Sequence, residues 1–323
     1  MNVGQRAVGA VVGSAVGDAL GAPFEFGPAG AFSSRFPLPG AGGEMNGGGG
    51  WDAGEATDDT QMAIHVAESL LEHGGPDLPD IFARFQRWAA DDPKDIGLQT
   101  EDVLTRGLPW DRAATAHHQS SHRATGNGAL MRATPSAVYF ARDGRQVTMD
   151  AARHIAALTH GDPAAWEGTA IFHDLIRVAM KGANPLDELP QILAAVRSGH
   201  RQRYAAVLAT GWHPDHATEF NGAVWPCLGS AVWALRTTRS FADAIRAAID
   251  LGGDTDTVAA VTGGLAGAVY GPAAIPADWT EPLHVPLPGS GGRTLRLPHL
   301  IDLAHDLAER PRTDRRRSPA REA

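Results

Sequence analysis

Apolar residues recur along most of the chain with the spacing of helices. Met62, Val66 and Leu70 lie four residues apart, and their pattern ends at the glycine pair of HGGP, residues 73–76. Residues 258–269 follow a similar period. Further helical patterns cover residues 79–90, 149–159, 164–180, 187–197, 222–236, 240–250 and 297–309. Alternating strand patterns of convincing length are missing, so the chain is predicted to be all-α.

The N-terminal run, residues 7–24, is apolar and carries glycine at every fourth position. Gly9, Gly13, Gly17 and Gly21 would form one stripe along a helix. Each glycine costs roughly 1 kcal/mol relative to alanine inside a helix, so a close approach by a second helix must offset that cost. We therefore interpret the run as a buried central helix.

The same run does not fit a membrane span or a signal peptide. It consists mainly of Gly, Ala and Val, contains Asp18, and lacks a basic segment before a separate cleavage pattern. We expect Asp18 to be a buried hydrogen-bond partner. Cys227 is the single cysteine, which excludes an intramolecular disulfide and a thiolate metal cluster. The protein is therefore expected to be cytoplasmic, with no membrane association.

The organisation of the chain indicates one domain followed by a basic tail. No linker-like change in composition interrupts residues 1–308, whereas residues 309–323 carry Pro and Arg without apolar periodicity and are expected to be solvated and disordered. Residues 39–51, PGAGGEMNGGGGW, are expected to form a mobile surface loop. A formal net charge of -9 argues against a general attraction to nucleic acid or anionic lipid.

Two acidic motifs each precede a helical pattern. They are GEATDDTQM, residues 54–62, and LGGDTDTV, residues 251–258. Taken alone, each motif is typical of a helix cap, and Asp58 with Gln61 fits the N-cap and N3 positions of a capping box. Taken together, the motifs offer matching carboxylates and threonine hydroxyls about two hundred residues apart in the sequence, which favours one shared site.

Bringing the four aspartates of these motifs together would require bound cations. Within about 6 Å of one another, their repulsion would cost on the order of 15 kcal/mol at an effective dielectric constant of about 20. The donors are oxygen atoms, so Mg²⁺, Mn²⁺ or Ca²⁺ is expected rather than zinc. Two such ions can activate a water molecule and polarise a substrate oxygen, so the motifs predict a metal-dependent hydrolase.

Five segments together resemble a known family. In chain order they are GSAVGDALGAPFEF (13–26), GEATDDTQM (54–62), GNGALMRATP (126–135), LTHGDP (158–163) and LGGDTDTVAAVTGGLAGAVYG (251–271). This set is similar to the ADP-ribosylglycohydrolases of the dinitrogenase reductase-activating type, and the resemblance spans residues 7–271. It implies an all-α fold with two Mg²⁺ or Mn²⁺ ions at the base of an ADP-ribose cleft.

The resemblance also implies roles for individual residues. Glu25 matches an acidic residue that the family carries on a flexible segment over the site, and we expect it and Asp59 to act in catalysis. The metal-ligand positions of the family correspond to Thr57, Asp58, Asp59, Asp254, Asp256 and Thr257.

Residues for substrate binding follow from the same resemblance. Gly126, Asn127 and Gly128 match the segment around the ADP-ribose diphosphate, where glycines let backbone N–H groups approach an anion. A tight turn before a helix is the alternative. His160 matches a position near the ribose and is not expected to be a base; a core histidine is the alternative. Four tryptophans could stack an adenine, although their spacings are typical of a core: Trp166, Trp212, Trp225 and Trp233.

The predicted reaction is hydrolysis of the bond between ADP-ribose and an acceptor, with free ADP-ribose as product. The acceptor could belong to a protein, a nucleic acid or a small molecule, and no obligate protein partner is evident. Two other functions stay open: an inactive ADP-ribose reader or crystallin-like structural protein, and a different metal-dependent phosphohydrolase.

Overall fold

Helices make up most of the protein, which confirms the all-α prediction. The computed structural model describes residues 1–40, 42–121 and 125–309. The α-helices are α1 (Val3–Gly21), α2 (Ala31–Arg35), α3 (Asp58–His73), α4 (Leu78–Ala90), α5 (Leu98–Thr105), α6 (Ala113–Ser120), α7 (Thr134–Phe140), α8 (Arg145–Ala156), α9 (Pro163–Met180), α10 (Leu189–Ala194), α11 (Ser198–Val207), α12 (Val224–Thr237), α13 (Phe241–Ile249), α14 (Thr255–Tyr270), α15 (Ala277–Thr280) and α16 (Leu297–Glu309).

One small hairpin interrupts the helical pattern. Strands β1 (His284–Pro286) and β2 (Thr294–Arg296) pair antiparallel, with Val285 opposite Leu295. These two side chains are buried and their strand neighbours are not, so each strand has one apolar position facing the core. Three residues are too few to produce a recognisable alternation in the sequence.

The glycine stripe of α1 packs directly against the backbone of α14, as predicted. A Cβ atom at Gly17 would lie 2.0 Å from the carbonyl oxygen of Ala259, and one at Gly9 would lie 2.2 Å from that of Gly267. Since real Cβ atoms cannot approach so closely, only glycine permits this contact. The helices run antiparallel, so the C-terminal end of α1 lies beside the N-terminal end of α14, where the second acidic motif begins.

Helix α1 is a core helix. The stretch Val3–Phe24 is long and apolar enough to cross a membrane, but 89% of the 18-residue window that meets this test is buried inside the protein. One hydrophobic core extends from the side chains of α1 to those of α16. This burial agrees with the interpretation of the run as a central helix.

Asp18 of α1 caps α3. Its carboxylate accepts hydrogen bonds from the backbone N–H groups of Thr57 and Thr60, each at 3.1 Å, and from the Thr60 hydroxyl. Asp18 is fully buried, as expected of a hydrogen-bond partner. The C-terminal half of α1 therefore fixes the starts of both α3 and α14.

The predicted capping box at the start of α3 is wrong. Thr57 is the N-cap residue, and its hydroxyl accepts from the backbone N–H of Asp59 at 3.3 Å. Gln61 instead accepts a hydrogen bond from the indole of Trp88 at 2.8 Å. The Asp58 side chain is consequently not used as the cap.

The glycine-rich segment differs in part from the predicted surface loop. Several of its glycines adopt positive φ angles, as expected of irregular backbone. Glu44 and Met45 are nevertheless buried, and Met45 belongs to the hydrophobic core. Most of the predicted basic tail, residues 310–323, lies outside the described residues.

Candidate active site

A cleft with a volume of about 450 Å³ opens where the N-terminal ends of α3, α5 and α14 meet. The turn at residues 126–128 forms another part of its wall. Most of the predicted site residues line this one cavity, which is bordered by Glu25, Phe26, Asp58, Asp59, Asp95, Ile96, Gly97, Leu98, Gln99, Thr100, Gly126, Asn127, Gly128, Met131, His160, Gly222, Asp254, Asp256 and Thr257.

A glycine pair directs the chain into α14. Gly252 and Gly253 adopt φ angles of 69° and 73°, and a Cβ atom at Gly253 would lie 2.4 Å from the side-chain oxygen of Asn221. Asn221 accepts from the backbone N–H of Asp254 at 3.0 Å and donates to the Gly252 carbonyl at 2.8 Å. The sequence reasoning missed Asn221, because an isolated asparagine in a loop carries no periodic signal.

The two acidic motifs converge, as their similarity suggests. The Thr257 hydroxyl donates to Asp59 at 3.3 Å, which links the start of α14 to the start of α3. Glu25, Asp254 and Asp256 each place one carboxylate oxygen within 4.8 Å of the others. Thr57, the N-cap residue of α3, is fully buried and is not among the residues that line the cavity.

This arrangement leaves an excess of negative charge with few hydrogen-bond donors. Burial raises the pKa of the Asp58, Asp59 and Asp256 carboxyls well above the ordinary value, and repulsion between neighbouring carboxylates raises it further. Two carboxylate oxygens, Oδ2 of Asp59 and Oδ1 of Asp254, are buried without a hydrogen-bond partner among the described residues. Hard divalent cations fit this set of oxygen donors.

Glu25 lies on a short segment that is tied to the start of α14. The Phe26 N–H donates to the Gly253 carbonyl at 2.6 Å, and the Gly253 N–H donates to the Gly27 carbonyl at 3.1 Å. Burial raises the pKa of Glu25 to about 8, and the nearby charges of Asp95 and Asp254 add to this shift. The position of Glu25 permits it to bind a cation as well as to act in catalysis.

Asp95 is an acidic residue of the cleft that the sequence reasoning missed. It lies between α4 and α5, is half-buried, and lines the cavity. Burial raises its pKa, and repulsion from Asp254 contributes in the same direction. The surrounding sequence DDPKDIG, residues 91–97, resembles an ordinary polar connection, so only the tertiary structure reveals its proximity to the site.

The turn at residues 126–128 is partly occupied by its own hydrogen bonds. The Asn127 backbone N–H donates to the Gly222 carbonyl at 3.0 Å, and its side-chain amide donates to Oδ2 of Asp254 at 3.0 Å. Among the described residues we find no acceptor for the N–H groups of Gly126 and Gly128. Asn127 therefore positions a carboxylate, and its contact with substrate stays a prediction.

His160 lies against this turn. A Cβ atom at Gly128 would be 3.2 Å from Cε1 of the His160 ring, and one at Gly126 would be 3.6 Å from Nε2. The indole N–H of Trp166 donates to the His160 carbonyl, so Trp166 helps to hold the backbone of His160 in place. The residues described around the cavity include no tryptophan.

The other three tryptophans pack elsewhere. Trp225 is buried, and the guanidinium of Arg203 lies 3.4 Å from the centre of its ring. Trp212 packs against Gly229 on α12, and Trp233 makes an edge contact with His213. These positions agree with structural roles rather than with adenine stacking.

Two exposed phenylalanines stand near the mouth of the cleft. Phe26 and Phe220 are 73% and 55% exposed, and their rings stack with centres 6.3 Å apart. Phe26 has a φ angle of 57°, a left-handed conformation that is costly for a residue with a Cβ atom. Exposed aromatic rings next to a cleft are typical of ligand-contacting surfaces.

The fold and cleft define a helical protein whose paired acidic helix N-termini form an oxygen-lined site suited to divalent cations. Residues 1–317 match the family model described as ADP-ribosylglycohydrolase. The chain therefore belongs to the ADP-ribosylglycohydrolase family.

Individual relatives agree with this assignment. The ADP-ribosylarginine hydrolase Tri1 of Pseudomonas putida is 31% identical over 85% of this chain and 73% of its own length. The ADP-ribosyl-[dinitrogen reductase] glycohydrolase of Rhodospirillum rubrum is 29% identical over 87% of this chain and 91% of its own. A solved structure titled ADP-ribosylglycohydrolase-related protein complex has a TM-score of 0.75 and 33% identity, covering 95% of this chain and 98% of that one.

Proposed function

We propose that the protein is a Mg²⁺- or Mn²⁺-dependent hydrolase that releases ADP-ribose from an ADP-ribosylated acceptor. The observation that carries this proposal is the convergence of the two acidic motifs at one cavity that the turn at residues 126–128 also lines. Membership of the family supports the same reaction, as do the names of the relatives, one a hydrolase and the other a glycohydrolase. An inactive reader or a structural protein would have no need for so many buried carboxylates.

Two cations would be held by oxygen atoms from both helix starts. The proposed ligands are Thr57, Asp58, Asp59, Asp254, Asp256 and Thr257, and Glu25 is close enough to join them. Bound there, the cations would polarise the ribose hydroxyls and lower the pKa of a water molecule. The raised pKa values of Asp59 and Asp254 support such a site. So do Oδ2 of Asp59 and Oδ1 of Asp254, which are buried without a hydrogen-bond partner in the described part of the chain.

The remaining groups would bind and orient the substrate. The N–H groups of Gly126 and Gly128, for which we find no acceptor among the described residues, suit the oxygens of the diphosphate. Glu25 and Asp95 flank the acidic floor, and burial raises the pKa of both carboxyls. With a pKa of about 8, Glu25 can exchange a proton near neutral pH. Asp59 is proposed to assist this proton transfer, in addition to holding a cation.

An arginine side chain of a protein is the proposed acceptor. The Tri1 relatives are named as ADP-ribosylarginine hydrolases, and the acidic surroundings of the cleft suit a cationic leaving group. A nucleic acid fits less well with the formal net charge of -9. We propose that the reaction takes place in the cytoplasm, since the chain has a single cysteine and α1 is a core helix.

The test is a panel of substrates carrying ADP-ribose on arginine, on serine, on a nucleic-acid base and on a small O-linked group. Each is incubated with the protein and Mg²⁺ or Mn²⁺, and free ADP-ribose is measured by chromatography. We expect release from the arginine-linked peptide above all others, and none from the Asp256→Asn variant. Release of phosphate from nucleotides without release of ADP-ribose would contradict the proposal and favour a phosphohydrolase.

A further inference from the structure

His160 lies beside the proposed substrate turn but is almost completely buried. The residue as a whole is 1% exposed, and it lines the cavity next to Gly126 and Gly128. Its Nδ1 atom is 2.9 Å from the Thr159 hydroxyl, on the side away from these glycines. For its Nε2 atom we find no hydrogen-bond partner among residues 1–40, 42–121 and 125–309.

We propose that Arg132 and Thr159 hold His160 as the tautomer with its proton on Nε2, so that a neutral imidazole donates a hydrogen bond to a substrate oxygen in the cleft. The identity of that substrate rests on the proposed function. The tautomer of His160 does not depend on the proposed function, because it follows from contacts inside the protein.

The donors and acceptors around the Thr159 hydroxyl determine the tautomer of His160. Nη2 of Arg132 donates to the Thr159 hydroxyl oxygen at 2.6 Å, and a guanidinium has no acceptor to offer in return. Thr159 is fully buried, so its hydroxyl hydrogen needs an acceptor within the protein. Nδ1 of His160 is the acceptor in contact with it. A neutral ring that accepts at Nδ1 carries its proton on Nε2.

The surroundings also keep the ring neutral. Burial and the positive charge of Arg132 hold the pKa of His160 well below its ordinary value. A second proton on the ring would in addition break the hydrogen bond from Thr159 and leave its hydroxyl hydrogen without an acceptor. His160 is therefore a donor, and neither a cation nor a general base, at neutral pH.

Arg132 connects this ring to the turn itself. Its Nη1 atom donates to the Gly128 carbonyl at 2.8 Å, and its guanidinium lies over the Phe85 ring at 4.8 Å. Arg132 is 1% exposed, so its guanidinium is not available for direct contact with the substrate. One buried guanidinium thus fixes both the Gly126–Gly128 wall and the donor beside it, which makes Arg132 and Thr159 positioning residues.

The oxygen that His160 contacts could belong to the diphosphate or to a hydroxyl of the proximal ribose, since an N–H donor suits both. Titrations with ADP-ribose, ADP and ribose 5-phosphate separate these sources. A loss of affinity shared by ADP-ribose and ADP in a His160 variant indicates the diphosphate. A loss confined to ligands that carry the proximal ribose indicates the hydroxyl.

The test is nitrogen NMR of the histidine rings in the full-length protein with Mg²⁺ and without substrate. The His160 signals are assigned by their absence in His160→Gln. We expect a neutral ring with hydrogen on Nε2 at pH 7 in the parent and in Thr159→Ser. In Thr159→Val, which lacks the hydroxyl, we expect a mixture of tautomers and an ADP-ribose Kd about tenfold higher.

A ring protonated on Nδ1, or on both nitrogens, would overturn the proposal. So would Thr159→Val with the parent's tautomer and the parent's ADP-ribose Kd. Melting temperatures of both Thr159 variants show whether each is folded, and the spectrum of the parent decides the tautomer even if Thr159→Val unfolds. A correct tautomer without any binding of ADP-ribose would count against the proposed function and leave the positioning role intact.

Discussion

At the scale of single residues, the cleft contains two kinds of carboxylate that differ in burial and in the type of segment that carries them. Asp58, Asp59 and Asp256 are nearly inaccessible to solvent and lie at the starts of two rigid helices. Glu25 and Asp95 are half-buried and lie on connecting segments. The first set is suited to holding cations in a fixed geometry, and the second is suited to groups that meet the substrate.

This difference leads to a prediction for two matched amide substitutions. Asp256→Asn should weaken Mn²⁺ binding and abolish turnover, because it removes a buried ligand charge from the base of the site. Glu25→Gln should lose most of the turnover while keeping at least one cation. Isothermal titration with Mn²⁺ measures both variants. Equal and complete loss of metal binding would show that Glu25 acts chiefly as a ligand.

The exposed aromatic pair gives a second prediction. Replacing Phe26 and Phe220 together by Ala should raise KM for the ADP-ribosylated substrate roughly tenfold, as expected when stacking on a planar group is lost. The melting temperature should change little, because both rings are largely exposed. Leu38→Ala, at an exposed position that does not line the cleft, is the control. An unchanged KM would mean that the pair does not contact the substrate.

At the scale of elements, the contact between α1 and α14 determines where the acidic residues lie. Gly21 at the end of α1 would place a Cβ atom 2.5 Å from the Cα atom of Asp256, so the site begins where the glycine stripe ends. The Thr255 hydroxyl also donates to the Gly21 carbonyl at 2.9 Å. Loss of the close packing should therefore disturb both stability and the site.

Gly17→Ala tests this packing. The new methyl group would overlap the Ala259 carbonyl, so we expect destabilisation at or above the upper end of the roughly 1–3 kcal/mol typical of overpacking. Gly4→Ala is the control on the same helix, because its Cβ atom would approach side-chain atoms rather than backbone, with His305 at 3.2 Å and Asn2 at 3.5 Å. Chemical denaturation measures both. Equal stability of the two variants would contradict the role of the stripe.

The sequence predicts the long helices well and the short elements poorly. Helices α3, α9, α12 and α14 are long enough for apolar residues to recur several times, so their period is visible. Helices such as α2 and α15 have five and four residues, and the β1–β2 strands have three each. Their conformations depend on tertiary packing rather than on a local pattern.

In the candidate site too, residues with a local sequence pattern could be predicted, and residues placed by tertiary packing could not. The acidic motifs at the starts of α3 and α14 carry a recognisable spacing, and the structure brings them together. Asp95 and Asn221 lie in irregular segments, and their proximity to the cleft depends on how distant loops fold over it. The hydrogen bond from Asn127 to Asp254 likewise joins segments that are far apart in the sequence.

At the scale of the whole molecule, the acidic cleft should make stability depend on pH and on metal. A carboxyl with a higher pKa in the folded state binds its proton more tightly after folding. Its contribution is complete below the unfolded value, 3.8 for Asp18 and 4.5 for Glu25, and is lost as the pH rises through about 6 and about 8. The metal-free protein should therefore melt at a lower temperature at pH 8 than at pH 5.

Saturating Mn²⁺ should reverse this trend. Cations bind ionised carboxylates, so metal affinity should increase with pH and binding should release protons. At a hundred times the Kd, a cation that binds only the folded protein adds about 2.7 kcal/mol. Melting curves between pH 5 and pH 8, with chelator or with Mn²⁺, provide the measurement. A metal-free protein that gains stability up to pH 8 would contradict the raised pKa values of the cleft carboxyls.

The central claim is that the starts of α3 and α14 form one cation site facing the substrate ribose. Anomalous scattering from crystals grown with Mn²⁺ and ADP-ribose tests it most directly. We predict two Mn²⁺ peaks bounded by Asp58, Asp59, Asp254 and Asp256, with the proximal ribose of ADP-ribose next to them. Absence of Mn²⁺ between these carboxylates, or ADP-ribose bound away from them, would contradict the claim.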